Sequence, residues 1–221
     1  MTLQALILAG GQSSRMGSRK ELLRHPSGLP MYQYLIKIIG QACPQLDTIY
    51  MSVKNEDLVP PPEIHDHHHR NQQQSLENRI TVKFIYDNLH DKNTNSKDIG
   101  PAAGLLAAYH NNPETNWLIV ACDFPLLSAA TLTRLISAAK SSSVTCYRNS
   151  KGFCEPLLAL WSPEALEKLA DNTRQGRTGP RFVVEELPDS RILSPESEVE
   201  LFNVNTVEEW EEACNLFRSM A

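Results

Sequence analysis

ALILAGGQSSRMGSRK, residues 5–20, is the stretch that decides the fold. An apolar run stops at two adjacent glycines, and a small polar loop then ends in a third glycine and a lysine. Glycines allow backbone N–H groups to face an anion, because no Cβ stands in the way. Arg15 and Lys20 add positive charge that can meet several phosphate oxygens. The stretch therefore predicts a buried strand followed by a loop that binds a polyphosphate.

The spacing of the glycines excludes two common phosphate-binding loops. The P-loop ends in G-K-S or G-K-T, and neither tripeptide occurs in the chain. The dinucleotide-binding fingerprint G-x-G-x-x-G is absent as well, because the glycines are Gly10, Gly11 and Gly17. The loop instead has the pattern L-A-G-G-x-x-x-R-M-G-x-x-K, from Leu8 to Lys20.

Composition excludes several classes of protein. The 221 residues carry a formal net charge of −5, which does not indicate general nucleic-acid binding. No apolar run approaches the ~20 residues that a membrane-spanning helix needs, and the first residues do not resemble a secretory signal. The five cysteines are scattered and include no C-x-x-C pair, as is typical of free thiols in a reducing compartment. We therefore expect a cytoplasmic protein without a nucleic-acid or membrane partner.

Strand patterns alternate with amphipathic helix patterns along the chain. Strands are predicted at 3–8, 48–53, 80–86, 117–122, 144–147, 156–161 and 191–193, and helices at 31–42, 100–110, 128–140, from 163, 181–187 and 206–218. This order predicts an α/β fold in three layers, with a mostly parallel, Rossmann-like sheet between two layers of helices. We expect a single domain over residues 1–221.

Two polar stretches interrupt this alternation. Residues 56–78 contain three consecutive prolines, a histidine-rich run and three glutamines, and residues 88–98 are rich in asparagine. Both are expected to be surface insertions, and the first is expected to be disordered. A histidine run can indicate a metal site, but adjacent histidines in a polar loop lack a framework that fixes their geometry. The stronger interpretation is a loop without a functional metal site.

An aspartate directly follows the fourth predicted strand. Asp123 comes after the apolar run 117–122 and begins D-F-P-L-L. Ligands of open α/β sheets bind beyond the carboxyl ends of the strands, and Mg²⁺ prefers hard oxygen ligands such as carboxylates. Asp123 is therefore a candidate Mg²⁺ ligand in a phosphate-transfer reaction. The alternative is an aspartate that only caps the turn before the next helix.

The glycine loop resembles the signature of nucleotidyltransferases that share a glycosyltransferase-A-like fold, and within them the molybdenum cofactor guanylyltransferase family. Three further motifs occur in the order of that family, namely Asp87 before G-P-x-x-G at Gly100, C-D-F-P around Asp123, and N-x-N-T from Asn203. The resemblance implies a sheet of the nucleotide-diphospho-sugar transferase type. The chain departs from the family at Val207, where relatives have proline, and in its longer spacer between Asp87 and Gly100.

The resemblance also implies which residues bind the substrates. Contacts with the nucleotide are expected at Leu8, Ala9, Gly10, Gly11, Lys20, Asp87, Gly100 and Asp123. Arg15 and Lys20 would stabilise charge on the phosphates, and Asp123 would hold Mg²⁺. Asn203 and Asn205 would lie on the acceptor side.

Two further matches to the family are weak. Glu155-Pro156-Leu157 corresponds to a segment that faces the pterin acceptor in relatives. The residues that contact guanine in relatives align near Ser52 and Asn55, with an ambiguity of a residue or more.

By resemblance, the reaction is the Mg²⁺-dependent transfer of GMP from GTP to a molybdopterin-type cofactor, with release of pyrophosphate. It needs no general base from the protein, because the attacking phosphate is already anionic. The motifs leave open cytidylyl transfer to the same cofactor and nucleotidyl transfer to a sugar phosphate. A nucleotide-binding adaptor in molybdenum-enzyme maturation is the non-enzymatic alternative, and the presence of both Lys20 and Asp123 argues against it. The oligomeric state is left open.

Overall fold

A mixed sheet of seven strands lies at the centre of the computed structural model, which describes residues 2–9, 16–60, 80–87 and 99–220. The strands are β1 (Leu3–Leu8), β2 (Thr48–Val53), β3 (Thr81–Tyr86), β4 (Asn116–Ala121), β5 (Val144–Arg148), β6 (Cys154–Trp161) and β7 (Arg191–Leu193). Their order across the sheet is β3-β2-β1-β4-β6-β5-β7. The first four strands are parallel to one another, β6 is antiparallel to β4 and β5, and β7 is parallel to β5.

Helices cover both faces of this sheet. In the described ranges they are α1 (Met31–Ala42), α2 (Ala102–Asn111), α3 (Ala129–Ala138), α4 (Pro163–Arg174), α5 (Pro180–Glu186) and α6 (Val207–Met220). Buried side chains of α1 and α3 form one apolar cluster with the sheet, and those of α2, α4 and α5 form another. The predicted three-layer α/β fold is therefore confirmed. None of the described helices is both long enough and apolar enough to cross a bilayer.

The central strands are apolar on both sides because helices cover both sides. Along β1, Ala5 and Ile7 belong to the cluster with α1 and α3, whereas Leu6 belongs to the cluster with α2 and α4. All three side chains are fully buried. Successive side chains of a strand point to opposite faces, so burial of both faces requires a continuous apolar run. This is why an unbroken apolar run at the start of the chain predicts a central strand.

The first predicted insertion, 56–78, begins with a defined turn. Glu56–Leu58 form a turn of 3-10 helix, and the guanidinium of Arg19 donates a hydrogen bond to the carbonyl of Leu58. The contact with Arg19 joins this turn to the segment that follows the glycine loop, and the disorder expected of the insertion stays a prediction. Residues 61–78, with the histidine run, and the polar loop 88–98 lie outside the described residues.

Candidate active site

Four parallel strands end side by side at one edge of the sheet. The N–H of Ala9, after β1, donates to the carbonyl of Ser52 in β2 at 2.9 Å. On the other side of β1, the N–H of Cys122 donates to the carbonyl of Leu8 at 3.2 Å. Asp87 directly follows β3, the strand beyond β2. Ligands of open α/β sheets bind beyond this edge, so these chain ends line the expected ligand crevice.

The glycine loop after β1 is described only from its end. Three predicted site residues lie outside the described residues, and their contacts with phosphates stay predictions: Gly10, Gly11 and Arg15. The description resumes at Met16, which is buried in a small cluster with Leu126 and Val204. Lys20 then begins a turn of 3-10 helix. The end of the loop therefore packs beside the segments that follow Asp123 and Asn203.

The first turn of α2 packs tightly against the ends of β1 and β2. A Cβ atom at Gly104 would lie 2.6 Å from Ser52 Oγ and 2.6 Å from Leu8 Cδ2, which is closer than van der Waals contact allows. Gly104 is the second glycine of G-P-x-x-G, and the first, Gly100, has a φ of +61° that favours glycine. The Ser52 hydroxyl donates a hydrogen bond to Asp87 Oδ1. The motif thus places the helix against a Ser52–Asp87 pair, a contact that the sequence alone does not reveal.

The carboxyl group of Asp123 lies just beyond the end of β4. Its Oδ1 atom is buried and has no hydrogen-bond partner among the residues that the structure describes. Burial raises the pKa of Asp123, whereas the positive charge of Lys20 and a hydrogen bond with the Asn203 side chain act to lower it. A buried carboxylate oxygen without a partner is costly unless a cation or a donor meets it. Asp123 Oδ1 is therefore a candidate ligand for a cation.

A chain of hydrogen bonds connects the first loop to the last helix beside Asp123. The Lys20 amine donates to Asn205 Oδ1 at 2.9 Å, and Asn205 Nδ2 donates to Asn203 Oδ1 at 2.6 Å. The backbone N–H of Val204 donates to the carbonyl oxygen of Asp123 at 2.9 Å. Four predicted site residues, from three distant parts of the sequence, therefore lie together: Lys20, Asp123, Asn203 and Asn205.

The N-terminus of α6 fixes the position of Asn205. Thr206 Oγ1 accepts a hydrogen bond from the N–H of Glu209 at 3.2 Å. Glu209 Oε2 accepts in return from the N–H groups of Thr206 at 3.0 Å and Asn205 at 2.6 Å. These reciprocal bonds form a capping box, in which a threonine and a glutamate satisfy the free donors of the helix start. They fix the backbone on which the Asn205 amide faces Lys20.

A second carboxylate, Glu155, lies near Asp123, because β6 starts at the edge where its antiparallel neighbour β4 ends. Asn149 Nδ2 donates to Glu155 Oε1 at 2.8 Å, while Asn149 Oδ1 accepts from the N–H groups of Lys151 and Phe153. Burial raises the pKa of Glu155, the bond from Asn149 lowers it, and the charge of Asp123 raises it. In the sequence only the weak E-P-L match indicates this residue, since the pairing of β6 with β4 has no local signature.

The described residues suit a Mg²⁺ ion that shares its ligands between protein and substrate. They contain no group of three or more His, Cys, Asp and Glu side chains that could enclose a metal ion. Mg²⁺ commonly takes one or two carboxylates and completes its shell with substrate phosphates and waters. The unpartnered, hard oxygen of Asp123 fits that mode of binding.

The sequence matches a known family over most of its length. The model of the MobA-like NTP transferase domain matches residues 5–191. The chain belongs to the MobA-like NTP transferase family. The matched region begins in β1, ends in β7 and includes Lys20, Asp87 and Asp123. The chain therefore carries a nucleotidyltransferase domain.

Curated relatives of this MobA-like chain include proteins of molybdenum cofactor synthesis. A molybdenum cofactor biosynthesis bifunctional protein from Synechocystis sp. is 29% identical over 94% of this chain, and the match covers 52% of that protein. The chain thus spans about half the length of this bifunctional relative. A molybdenum cofactor guanylyltransferase from Serratia proteamaculans is 26% identical, and the match covers 94% of this chain and 91% of that protein.

A solved structure with the same fold comes from Archaeoglobus fulgidus. It is described as molybdopterin-guanine dinucleotide biosynthesis protein A, and it superposes on this MobA-like chain with a TM-score of 0.66. The superposition covers 98% of this chain and 99% of the archaeal chain at 19% identity. At this identity the likeness establishes the fold alone.

Proposed function

We propose that this MobA-like chain catalyses the Mg²⁺-dependent transfer of GMP from GTP to a molybdopterin-type cofactor, with release of pyrophosphate. The observation that carries the proposal is the unpartnered carboxylate oxygen of Asp123, close to the amine of Lys20. Both groups lie at the sheet edge where α/β proteins bind ligands. Charges of this kind assist phosphate transfer, since a carboxylate can hold a cation and an amine can meet phosphate oxygens.

Each charged group of the site would have its own role in binding the phosphates. Lys20, which Asn205 fixes at 2.9 Å, would stabilise negative charge on the donor phosphates. Asp123 would hold Mg²⁺, which when bound neutralises charge on the α-phosphate and the pyrophosphate that leaves. Backbone N–H groups at Gly10 and Gly11 and the guanidinium of Arg15 would contact the same phosphates, as the glycine pattern predicts.

The nucleoside of GTP would bind at the same edge of the sheet, beside the ends of β1, β2 and β3. Leu8 ends β1 and Ala9 follows it, and the Ser52–Asp87 pair lies beside them under the first turn of α2. The hydroxyl and carboxylate of that pair are suited to hydrogen bonds with the base or the ribose, with Gly100 at the turn that leads into the helix. The acceptor would approach from the side of Asn203, Asn205 and Glu155.

The guanine base and the molybdopterin-type acceptor are supported by the relatives. Those from Serratia proteamaculans and Nostoc sp. are named as a molybdenum cofactor guanylyltransferase and a probable one, and both matches cover most of each chain. One fold hosts many substrates, so the fold alone does not select guanine. The nucleotide and the acceptor are therefore varied separately in the experiment below.

Release of pyrophosphate tests the proposal. Purified protein is incubated with molybdopterin-type cofactor, MgCl₂ and one of GTP, CTP, UTP or ATP. We expect pyrophosphate with GTP, and none when MgCl₂ or the acceptor is left out. A preference for CTP would replace guanylyl by cytidylyl transfer, and turnover only with sugar phosphates would overturn the acceptor. Nucleotide binding without turnover for any pair of substrates would favour the adaptor.

A further inference from the structure

His25 is a buried histidine that follows Lys20 in the chain and contacts the loop after Asp123. Only 1% of its surface is exposed. Its Nε2 lies 2.9 Å from the carbonyl oxygen of Pro125, and because a carbonyl only accepts, Nε2 carries the hydrogen. Its Nδ1 accepts from the N–H of Ser27 at 3.1 Å and lies 2.8 Å from Ser27 Oγ. Both nitrogens are thus bonded in the neutral ring, and burial lowers the pKa of His25.

Tyr34, on α1, makes a second contact of the same kind. Its ring stacks on His25, with centroids 3.7 Å apart and an angle of 16° between the planes. Its hydroxyl donates to the carbonyl of Leu127 at 2.7 Å. Phe217 of α6 packs edge-on against the imidazole, at a centroid distance of 4.6 Å. Two stacked rings therefore hold two carbonyl groups of one loop, those of Pro125 and Leu127.

These contacts join the two segments that carry the charged groups of the candidate site. Pro125 belongs to the loop that begins with Asp123, and His25 follows the turn that contains Lys20. A displacement of the stacked rings would therefore move the carboxylate relative to the amine. Phosphate transfer depends chiefly on the placement of charges, and a displacement of ~1 Å can cost about a hundredfold in rate.

We propose that His25, supported by Tyr34, is a positioning residue that sets the separation between Lys20 and Asp123. This inference rests on the nucleotidyl transfer proposed above. His25 acts through its hydrogen bond to Pro125 and contacts neither of the charged groups among the bonds described. It exchanges no proton in the reaction, because its Nε2–H is committed to a backbone carbonyl.

Matched variants separate positioning from a general loss of stability. His25→Phe keeps an aromatic ring for the stack and removes the donor to Pro125, whereas His25→Gln restores an N–H donor without the ring. Tyr34→Phe removes only the hydroxyl. Tyr147→Phe is the control, because the Tyr147 hydroxyl is also buried and donates to a carbonyl, that of Thr131, at 2.8 Å.

Turnover and metal affinity are measured for each variant alongside its Tm. Metal affinity is measured by electron paramagnetic resonance titration with Mn²⁺ in the presence of GTP and without acceptor. We expect His25→Phe to lower kcat about tenfold or more and to weaken Mn²⁺ binding several-fold. Tyr34→Phe should act in the same direction, and His25→Gln should recover part of both losses. Tyr147→Phe should change kcat and Mn²⁺ affinity less than about twofold at a comparable loss of Tm.

Equal effects of His25→Phe and Tyr147→Phe on kcat and Mn²⁺ affinity would overturn the positioning role. A folded His25→Phe variant with the kcat and Mn²⁺ affinity of the parent would overturn it as well. If His25→Phe does not fold, Tyr34→Phe and His25→Gln are compared with the control in the same way. A parental protein that binds Mn²⁺ and GTP but transfers to no acceptor would refute the proposed function. The Mn²⁺ titration would still decide the role of His25 in that case.

Discussion

The amine of Lys20 donates a 2.9 Å hydrogen bond to the amide oxygen of Asn205, although 185 positions separate the two residues. Lys20 follows the glycine loop, and Asn205 lies two residues before the start of α6. The bond therefore joins the first and last parts of the chain beside Asp123. In the proposed reaction, an amine that is already held in place would lose less conformational freedom when a phosphate binds.

Lys20→Ala should weaken both GTP binding and turnover. The change removes a positive charge that would meet the donor phosphates in the proposed reaction. Hydrogen bonds to charged groups are each worth ~1.5–3 kcal/mol, so GTP affinity should fall about tenfold or more. Asn205→Ala keeps the amine but releases it, and should cost less. Calorimetric titration with a non-hydrolysable GTP analogue measures both. Lys168→Ala is the control, because Lys168 pairs with Glu186 on the surface at 3.1 Å. Parental affinity in Lys20→Ala would mean that the phosphates bind elsewhere.

Asp123→Asn should abolish Mg²⁺-dependent turnover and at the same time stabilise the fold. The amide keeps the shape of the side chain but loses the charge that would hold the cation. It also removes a buried anionic oxygen that lacks a partner in the described residues. Pyrophosphate release and thermal unfolding give the two results, with Asp171→Asn, in an exposed pair with Arg174, as the control. If Asp123 only capped a turn, turnover would fall by less than about tenfold.

The gain in stability of Asp123→Asn should depend on pH in a defined direction. Burial raises the pKa of Asp123 in the folded protein. For such an acid the stabilising effect of the bound proton is present below its unfolded pKa of about 3.9 and is lost as the pH rises through the folded pKa. In EDTA, the Tm of the variant should exceed that of the parent at pH 7, and the difference should shrink toward pH 4. A difference of the opposite sign at pH 7 would show that the carboxylate is stabilised by its surroundings.

Gly104→Ala should weaken GTP binding and cause only a small loss of folding stability. Alanine favours a helix over glycine by ~1 kcal/mol, which offsets part of any strain. The added Cβ would lie 2.6 Å from Ser52 Oγ and would displace the hydroxyl from Asp87. We expect a higher KM for GTP at a similar kcat, measured by pyrophosphate release.

Gly40→Ala is the matched control for this substitution. Gly40 also lies in a helix, α1, and its Cβ would approach Ile80 Cδ1 at 2.6 Å, the flexible end of an apolar side chain. Ile80 precedes β3, so it lies at the sheet edge opposite the candidate site. The control should change Tm and leave the KM for GTP alone. A rise in KM for both variants would show that general loosening of the fold, and not the Ser52–Asp87 pair, sets the affinity.

Elements with local signatures could be predicted from the sequence. The central strands are apolar on both faces, and α4 begins with the Ser162 cap and Pro163 at its first position, so their positions follow from neighbouring residues. Asp123 could be found because an aspartate that ends an apolar run stands out against its surroundings. The defined turn at the start of the first insertion could not, because it depends on the distant Arg19.

Contacts between distant segments had no signature of this kind. Ser52 and Asp87 meet because β2 and β3 pair in parallel, and Gly104 approaches them only once α2 packs on the sheet. His25 resembles any polar loop residue in the sequence, since its partner Pro125 lies 100 positions away. The sequence thus predicts the charged groups of the site, while the residues that hold them in place emerge from tertiary packing.

Glu155→Gln should raise the KM for the acceptor and leave the affinity for GTP unchanged. Glu155 lies on the proposed acceptor side, and Asn149 holds one of its oxygens at 2.8 Å. Asn149→Asp should act in the same direction, because it replaces the donor that faces Glu155 by a negative charge and keeps the oxygen that accepts from Lys151 and Phe153. Steady-state rates at varied acceptor and saturating GTP measure the effect.

Glu198→Gln is the control for Glu155→Gln. The Glu198 carboxylate accepts a hydrogen bond from the N–H of Ser150, the residue that follows Asn149 in the turn between β5 and β6. A changed GTP affinity in Glu155→Gln would show that Glu155 acts on the donor nucleotide. Equal effects of Glu155→Gln and Glu198→Gln would show that Glu155 only stabilises the fold.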